Sequence, residues 1–345
     1  MHILMLTATF FASGQTAHVI HLARGLRRRG LGVDLLLTHA GPGAPRRRDY
    51  LRLLHAAGVR VMAIPRQPAG VDRMEPPAGR YDVVHVQSSW SFEHGRRLAA
   101  RLDVPLVITC HGLSLNQLAY RPALSAAARL ICVGPRIAGN LAPYRDKIVV
   151  IGNGADLERF RPGVREPQFT ILYAGRVDRW KRAGVLALCA AVDRLPGDTR
   201  FWVAANVRLP SRRAEHLGWV TDVHRWMGRA HVVVGTGCAI REAMAAGAAC
   251  LILGREYHGV VTPELVASMD FPDFSGLGRH QGPPSPAALY ADLMRLYQDR
   301  QWLGELMAFG REYAERHFDL DAMVAATLDV YAAAIASHRR RAGAR

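Results

Sequence analysis

Short apolar runs alternate with amphipathic stretches along most of the chain. Ile3–Thr7 reads as a buried strand. In Thr16–Arg29 the apolar residues Val19, Ile20, Leu22, Ala23 and Leu26 recur at helical spacing, and Gly30 closes the run. Strands are expected again over 32–38, 59–64, 81–87, 104–110, 129–133 and 147–151, with a helix over 48–57 and room for crossover helices in the longer gaps. The pattern restarts with a strand over 169–173 and a helix over 181–195. Strands follow over 200–205, 231–235 and 249–253, with a helix over 240–246. The last quarter reads as three helices, over 286–298, 301–317 and 319–337. Near-continuous apolar strands joined by helices imply parallel sheets covered on both faces. Between the two series lies GNGADLERFRPGVREP (152–167), polar and without periodicity, which reads as a linker. The expected fold class is therefore α/β, with two consecutive doubly wound units.

Composition narrows the classes. The 345 residues suit two domains of ordinary size, and half of them are apolar with 21% charged. That excludes a disordered chain, a collagen and a small disulfide scaffold. No uncharged apolar run reaches the ~18 residues of a membrane span. The first residues, MHILMLTATFF, carry no basic region and no small-residue cleavage site, so they do not read as a signal peptide. Cys110, Cys132, Cys189, Cys238 and Cys250 match no zinc or redox spacing. They read as reduced core thiols, which fits a cytoplasmic location.

The charge is unevenly placed. The formal net charge is +16, and residues 1–150 hold 20 basic against 8 acidic side chains. A basic half suits a polyanionic partner or an anionic membrane surface. Only Lys147 and Lys181 are lysine among the 45 basic residues, so an arginine-rich codon usage accounts for the excess equally well. The arginines are dispersed and lack interleaved aromatic platforms, so no nucleic-acid partner is expected.

In a doubly wound sheet, ligands bind beyond the carboxyl ends of the strands, and with two units facing each other the cleft between them is the default site. Ser13 and Gly14 open a helix where free N–H groups favour an anion, although an ordinary capped helix start fits as well. VPLVITC ends at His111, whose imidazole there can donate to a substrate hydroxyl or a phosphate. His85 is a second candidate, and either also fits as a packed core histidine. Arg176 and Lys181 flank a strand-to-helix turn and together suit a diphosphate: the arginine as a fork, the lysine as a point charge. A solvated basic turn with Arg179 and Arg182 is the competing reading. Gly235, Thr236 and Gly237 join a strand to a helix, and their N–H groups can cradle phosphate. Glu242 lies in an apolar stretch and needs a partner: two sugar hydroxyls, or an arginine such as Arg241.

The order YDVVHV, TCHGL, VVIGNGADLERFRP, YAGRVDRWKR, LGWVTD, EAMAAG, FDLDAMVAATLDVY resembles the family-4 retaining glycosyltransferases of GT-B fold over nearly the whole chain. The resemblance implies two Rossmann-like domains facing a cleft, with the C-terminal helix crossing back to the N-terminal domain. It implies an acceptor-binding domain at 1–152, a linker at 153–167, a nucleotide-sugar domain at 168–318 and a crossover helix at 319–337. Residues 338–345 are expected to form a disordered basic tail. By resemblance, Ser13 and Gly14 approach the donor, His111 sits near the transferred sugar, and Arg176 and Lys181 bind the diphosphate. Glu242 accepts from the ribose hydroxyls, and Asn153 and Gly154 form the hinge.

Val234 stands where the family carries a second glutamate, and Glu256, Tyr257, His258 and Gly259 are the candidates to replace its contact with the donor sugar. The implied activity is transfer of a sugar from a nucleoside-diphosphate sugar to a hydroxyl acceptor: a glycan, a lipid-linked molecule or a small molecule. It implies retention, with no metal and no cofactor. Asp319-Leu320-Asp321 resembles a metal motif of another transferase fold, but it opens the last helix and reads better as a cap. A lipid-linked acceptor would suit cell-envelope glycan synthesis at the inner face of the membrane. The alternatives are a non-catalytic sugar-nucleotide or glycan-binding module and, further off, a nucleic-acid-binding protein.

Overall fold

Seven strands form the first sheet: β1 (His2–Thr7), β2 (Gly32–Leu37), β3 (Arg60–Ala63), β4 (Val83–Val86), β5 (Leu106–Cys110), β6 (Arg129–Cys132) and β7 (Ile148–Val150). Their order is β3-β2-β1-β4-β5-β6-β7, and every pairing is parallel. Six strands form the second sheet: β8 (Thr170–Ala174), β9 (Arg200–Ala204), β10 (Ala214–His216), β11 (Val232–Gly235), β12 (Ala249–Leu253) and β13 (Tyr257–Val260). Their order is β10-β9-β8-β11-β12-β13, parallel except for β12 against β13. The computed structural model describes residues 1–11, 13–39, 47–64, 78–277 and 283–343.

The chain divides into two units. The first comprises Met1–Phe11, Gln15–Asn153 and Leu320–Arg345, and the second is built mainly from Gly154–Asp319. The chain therefore passes from one to the other between Asn153 and Gly154.

In the first unit the central strands are buried on both faces, as their unbroken apolar runs require. Ile3, Met5, Val33, Leu35, Val83 and Val107 point to one face, where α1 (Gly14–Arg28) and the last helix of the chain pack. Leu4, Leu6, Val84, Val86, Leu106 and Ile108 point to the other, beneath α3 (Phe92–Leu102) and α4 (Arg121–Ala126). The short α2 (Arg47–Ala56) and α5 (Pro135–Asn140) complete the layer structure. In the second unit α6 (Arg182–Val192) and α10 (Pro286–Gln298) cover one face. On the other lie α7 (Val223–Met227), α8 (Cys238–Ala245), α9 (Pro263–Ala267) and α11 (Arg300–His317).

The last helix, α12 (Leu320–Gly343), is long and apolar enough to cross a membrane by length and composition. Here its apolar side is a core surface: Leu320, Met323, Val324, Val330, Tyr331 and Ala334 are buried in the first unit. Each such aliphatic side chain contributes roughly 1.5–3 kcal/mol through burial. α12 approaches α1 so closely that a Cβ on Gly25 would lie 2.5 Å from Val324 Cγ2.

Two expectations need correction. The basic tail does not fray at 338: α12 continues to Gly343, because Arg and Ala are good helix formers, while His338 is tied to Asp103 by a 3.0 Å bond to its carbonyl oxygen. Ala344 and Arg345 lie outside the described residues. The expected linker is also anchored. Ala155 and Phe160 are buried in the second unit. Arg165 donates to the carbonyls of Met227, Gly228, Ala230 and Ala246 at 2.8–3.1 Å, and also to that of Gly247. These carbonyls lie at and just beyond the C-termini of α7 and α8, where oxygens lack intrahelical partners and a cation is favoured. The segment looks like a linker in sequence because its partners are 62–82 residues away.

Candidate functional site

In the second unit, Arg176, Lys181 and Thr236 lie just beyond the carboxyl ends of β8 and β11. The turn after β8 is organised by Asp178, which accepts from the backbone N–H of Trp180 at 3.0 Å and of Lys181 at 3.2 Å. This local carboxylate bond at a helix start explains why the chain turns here. The same carboxylate holds Arg176 at 3.3 Å, and the arginine remains about half exposed (52%). Lys181 is turned inward: its Nζ donates to Thr236 Oγ1 at 2.7 Å. Burial lowers its pKa, while the Asp178 charge works against that shift. Of the two candidate diphosphate ligands, one is therefore docked on the neighbouring loop and one is half in solvent. Trp180, 54% exposed, carries the guanidinium of Arg179 at 4.5 Å and that of Arg255 at 5.3 Å from its ring centre.

The loop after β11 is the opposite wall. A Cβ on Gly235 would lie 2.8 Å from the Ala174 carbonyl oxygen, so the approach of β11 to β8 requires glycine there. Gly237 opens α8, but its N–H donates to the Phe274 carbonyl at 2.6 Å. That N–H is not free to cradle a phosphate, and the N–H groups of Ala239, Ile240 and Arg241 are likewise engaged, on the carbonyls of Thr236 and Gly237. Glu242 lies on α8 and is only 8% exposed. Burial pushes its pKa up to about 8, against a smaller opposing effect of Arg159. Arg159 is itself held by the Thr221 carbonyl at 2.7 Å and His224 Nδ1 at 3.2 Å. The competing idea of a pair with Arg241 is not supported. Arg241 donates to the Pro272 carbonyl at 3.2 Å and lies over the Phe318 ring.

The residues put forward in place of the missing glutamate lie at the β12–β13 hairpin. Val234 is fully buried within β11. Glu256 Oε2 is 3.5 Å from His258 Nε2, and the imidazole is almost wholly buried. Tyr257 donates to Asp292 at 2.5 Å, and Gly259 pairs with Ile252 in the ladder.

Ser13 and Gly14 stand at the start of α1, where Thr16 Oγ1 accepts from the Phe11 N–H at 3.0 Å. His111 follows β5, and its Nε2 lies 3.0 Å from Gln87 Oε1. His18 presents its ring at 4.8 Å and 74° to that of His111. Burial brings His18 down to about 4, with the Asn153 side chain working the other way. His111 is held well below its usual range by burial and by the nearby His18 and His85. His85 is wholly buried, hydrogen-bonded to Tyr331 and Thr109, and lowered to about 3 by burial. It is the packed histidine of the pair. Sequence reasoning missed Gln87, Tyr331 and Arg159, whose roles depend on distant contacts. Asp178 was readable as a helix-start acid three residues before Lys181. Among the described residues, no group of three His, Cys, Asp or Glu is placed to hold a metal.

The Glycosyltransferase Family 4 model matches residues 12–159. A D-inositol 3-phosphate glycosyltransferase of Streptomyces avermitilis is 30% identical over 76% of this chain and 68% of its own length. D-inositol 3-phosphate glycosyltransferase 1 of Catenulispora acidiphila is 29% identical over 52% of each. The chain thus spans about half the length of several curated relatives it matches. Among solved structures, Anabaena HepE in complex with UDP and glucose superposes with a TM-score of 0.74 at 18% identity, covering 96% of this chain and 99% of that one. Sucrose-phosphate synthase from Thermosynechococcus elongatus gives 0.68 at 18% identity, covering 97% and 99%. These likenesses place the fold among the GT-B proteins. With that fold, and with a relative of 30% identity matched over two thirds of its length, the chain belongs to glycosyltransferase family 4.

Proposed function

We propose that the chain transfers a sugar from a nucleoside-diphosphate sugar to a hydroxyl acceptor, with retention at the anomeric carbon. The observation that carries this reading is Lys181, an inward-turned ammonium on Thr236 at the carboxyl ends of β8 and β11. That is where a doubly wound sheet binds its ligand. An anion in place of the Thr236 hydroxyl would meet a positive charge in a partly desolvated position, where charge counts for more than in water.

Departure of the diphosphate is the difficult step. Lys181 and Arg176 oppose the negative charge that grows on it, and this favours the transition state over the ground state. Glu242 suits the ribose diol, because a buried carboxyl group gains from two hydroxyl donors. His111, in the first unit, suits a sugar or acceptor hydroxyl. The UDP bound in the Anabaena HepE structure supports a uridine donor. The relatives' name, D-inositol 3-phosphate glycosyltransferase, supports a small polyol acceptor; a glycan remains open to the same chemistry, and a lipid-linked acceptor suits the basic first half of the chain. In this reading the protein works in the cytoplasm, at the inner membrane face through anionic lipid, in envelope glycan synthesis, without a metal or a further cofactor.

The test is calorimetry with UDP and GDP, followed by a donor-turnover assay over a panel of UDP-sugars, with and without EDTA. The double variant Arg176→Ala/Lys181→Ala should lose nucleotide binding and turnover while its melting profile is kept. Unchanged turnover in that variant refutes the site.

A further inference from the structure

We propose that Gln87 is a positioning residue that fixes the tautomer of His111, and that Tyr331 on the last helix braces the imidazole on which Gln87 rests. This rests on the reading of His111 as a substrate-contacting group.

The argument starts at His85. Its Nδ1 is 2.5 Å from the Tyr331 hydroxyl and its Nε2 is 2.7 Å from Thr109 Oγ1. Tyr331 is wholly buried, so a phenolic O–H left without an acceptor would be costly, and Nδ1 is its acceptor. His85 therefore carries its own proton on Nε2 and donates it to Thr109. Both ring nitrogens are then engaged.

Gln87 follows two residues later on the same face of the chain. Its Nε2 lies 3.3 Å from one nitrogen of His85 and 3.2 Å from the other. A nitrogen equidistant from both sits over the ring face, not in line with either lone pair, and donates to the π system. Turning the amide round would set its carbonyl oxygen over that face with no proton to accept. The amide is therefore assigned with Oε1 toward His111, 3.0 Å from Nε2.

An amide oxygen only accepts. His111 Nε2 must then carry the proton, and a neutral imidazole has only one. Nδ1 is left as a lone pair. This reverses the expectation that His111 donates to its ligand: the free nitrogen accepts, so it suits a sugar or acceptor hydroxyl and is wrong for a phosphate. The His18 ring, packed edge-on at 4.8 Å, keeps the His111 plane from turning. The chain of contacts runs from α12 through β4 to the end of β5, so a residue at 331 acts on one at 111 without touching it.

The experiment uses the full chain labelled with 15N-histidine. Long-range 1H–15N spectra, assigned with His111→Gln, should show His111 as the Nε2–H tautomer. In Gln87→Leu that resonance should become a mixture of tautomers, and in Tyr331→Phe it should shift partway. Gln87→Met serves if the leucine variant does not fold. With UDP-glucose as probe, kcat for donor turnover should fall roughly tenfold in Gln87→Leu, about the effect of one hydrogen bond. The UDP Kd should stay within about twofold. A merely structural role would lower the melting temperature and weaken UDP together. An Nδ1–H tautomer in the parent protein, or an unaltered His111 in Gln87→Leu, overturns the proposal. If the spectra behave as expected but no UDP-sugar is turned over, the transferase reading fails and the tautomer assignment stands.

Discussion

Lys181 Nζ donates to Thr236 Oγ1 at 2.7 Å, joining the turn after β8 to the turn after β11. The bond holds a long, entropically costly side chain in one place before any ligand arrives. Preorganisation of this kind favours binding, because the ordering cost has already been met in folding.

Replacing Lys181 with methionine keeps the stem and removes the charge. UDP affinity should fall roughly 10- to 100-fold, the range for a hydrogen bond to a charged group. Thr236→Val, which leaves the ammonium in place, should cost less than about tenfold. Calorimetry on both variants checks the ranking, and an equal loss in the two would contradict it.

Glu242 should make stability depend on pH in an unusual direction. Its folded-state pKa is pushed up to about 8 by burial, above its ordinary value of 4.5. Between those values the folded state holds a proton that the unfolded state has lost. Stability therefore falls as pH rises from about 4.5 to about 8 and levels off above that. Glu242→Gln removes the titration. Its melting temperature relative to the parent should rise between pH 5 and pH 9; a constant difference would show that the carboxyl is charged throughout.

Gly25→Ala should destabilise, although the same change in a free helix stabilises by about 1 kcal/mol. The new methyl would lie 2.5 Å from Val324 Cγ2, too close without movement of α12. A loss of about 1–3 kcal/mol is expected from such overpacking. Val324→Ala in the same chain should recover part of it. Urea unfolding of the two single variants and the double variant forms the cycle that measures the coupling.

Arg165→Met should destabilise the second unit by on the order of 3 kcal/mol, because several carbonyls around α7 and α8 lose their donor at once. Differential scanning calorimetry should show one transition moving down and UDP binding weakening only near that transition. A variant as stable as the parent would mean that water replaces the guanidinium without cost.

The layered α/β architecture was legible because buried parallel strands must be apolar throughout. VVHV and VVVG stand out in any window, and the helices between them carry the 3.6-residue period. Lys181 stood out by rarity, and Glu242 by its apolar surroundings. The features that escaped are those fixed by distant partners. Tyr331 meets His85 across 246 residues, and Arg165 reaches carbonyls up to 82 residues away. Gly237 offers a further lesson: a glycine loop between strand and helix looks like an anion cradle, yet one of its donors is committed to Phe274. Sequence names the groups present, but not which hydrogen bonds are already occupied.

The first unit is sewn from stretches that lie on either side of the second in sequence, with Leu320 onward closing a core begun at Ile3. During synthesis the segment that seals this core leaves the ribosome only after the stretch that builds the second unit. The middle of the chain can complete its own sheet while the earlier-made half still waits for its final helix. Assembly thus runs against the usual order, in which the N-terminal domain finishes first.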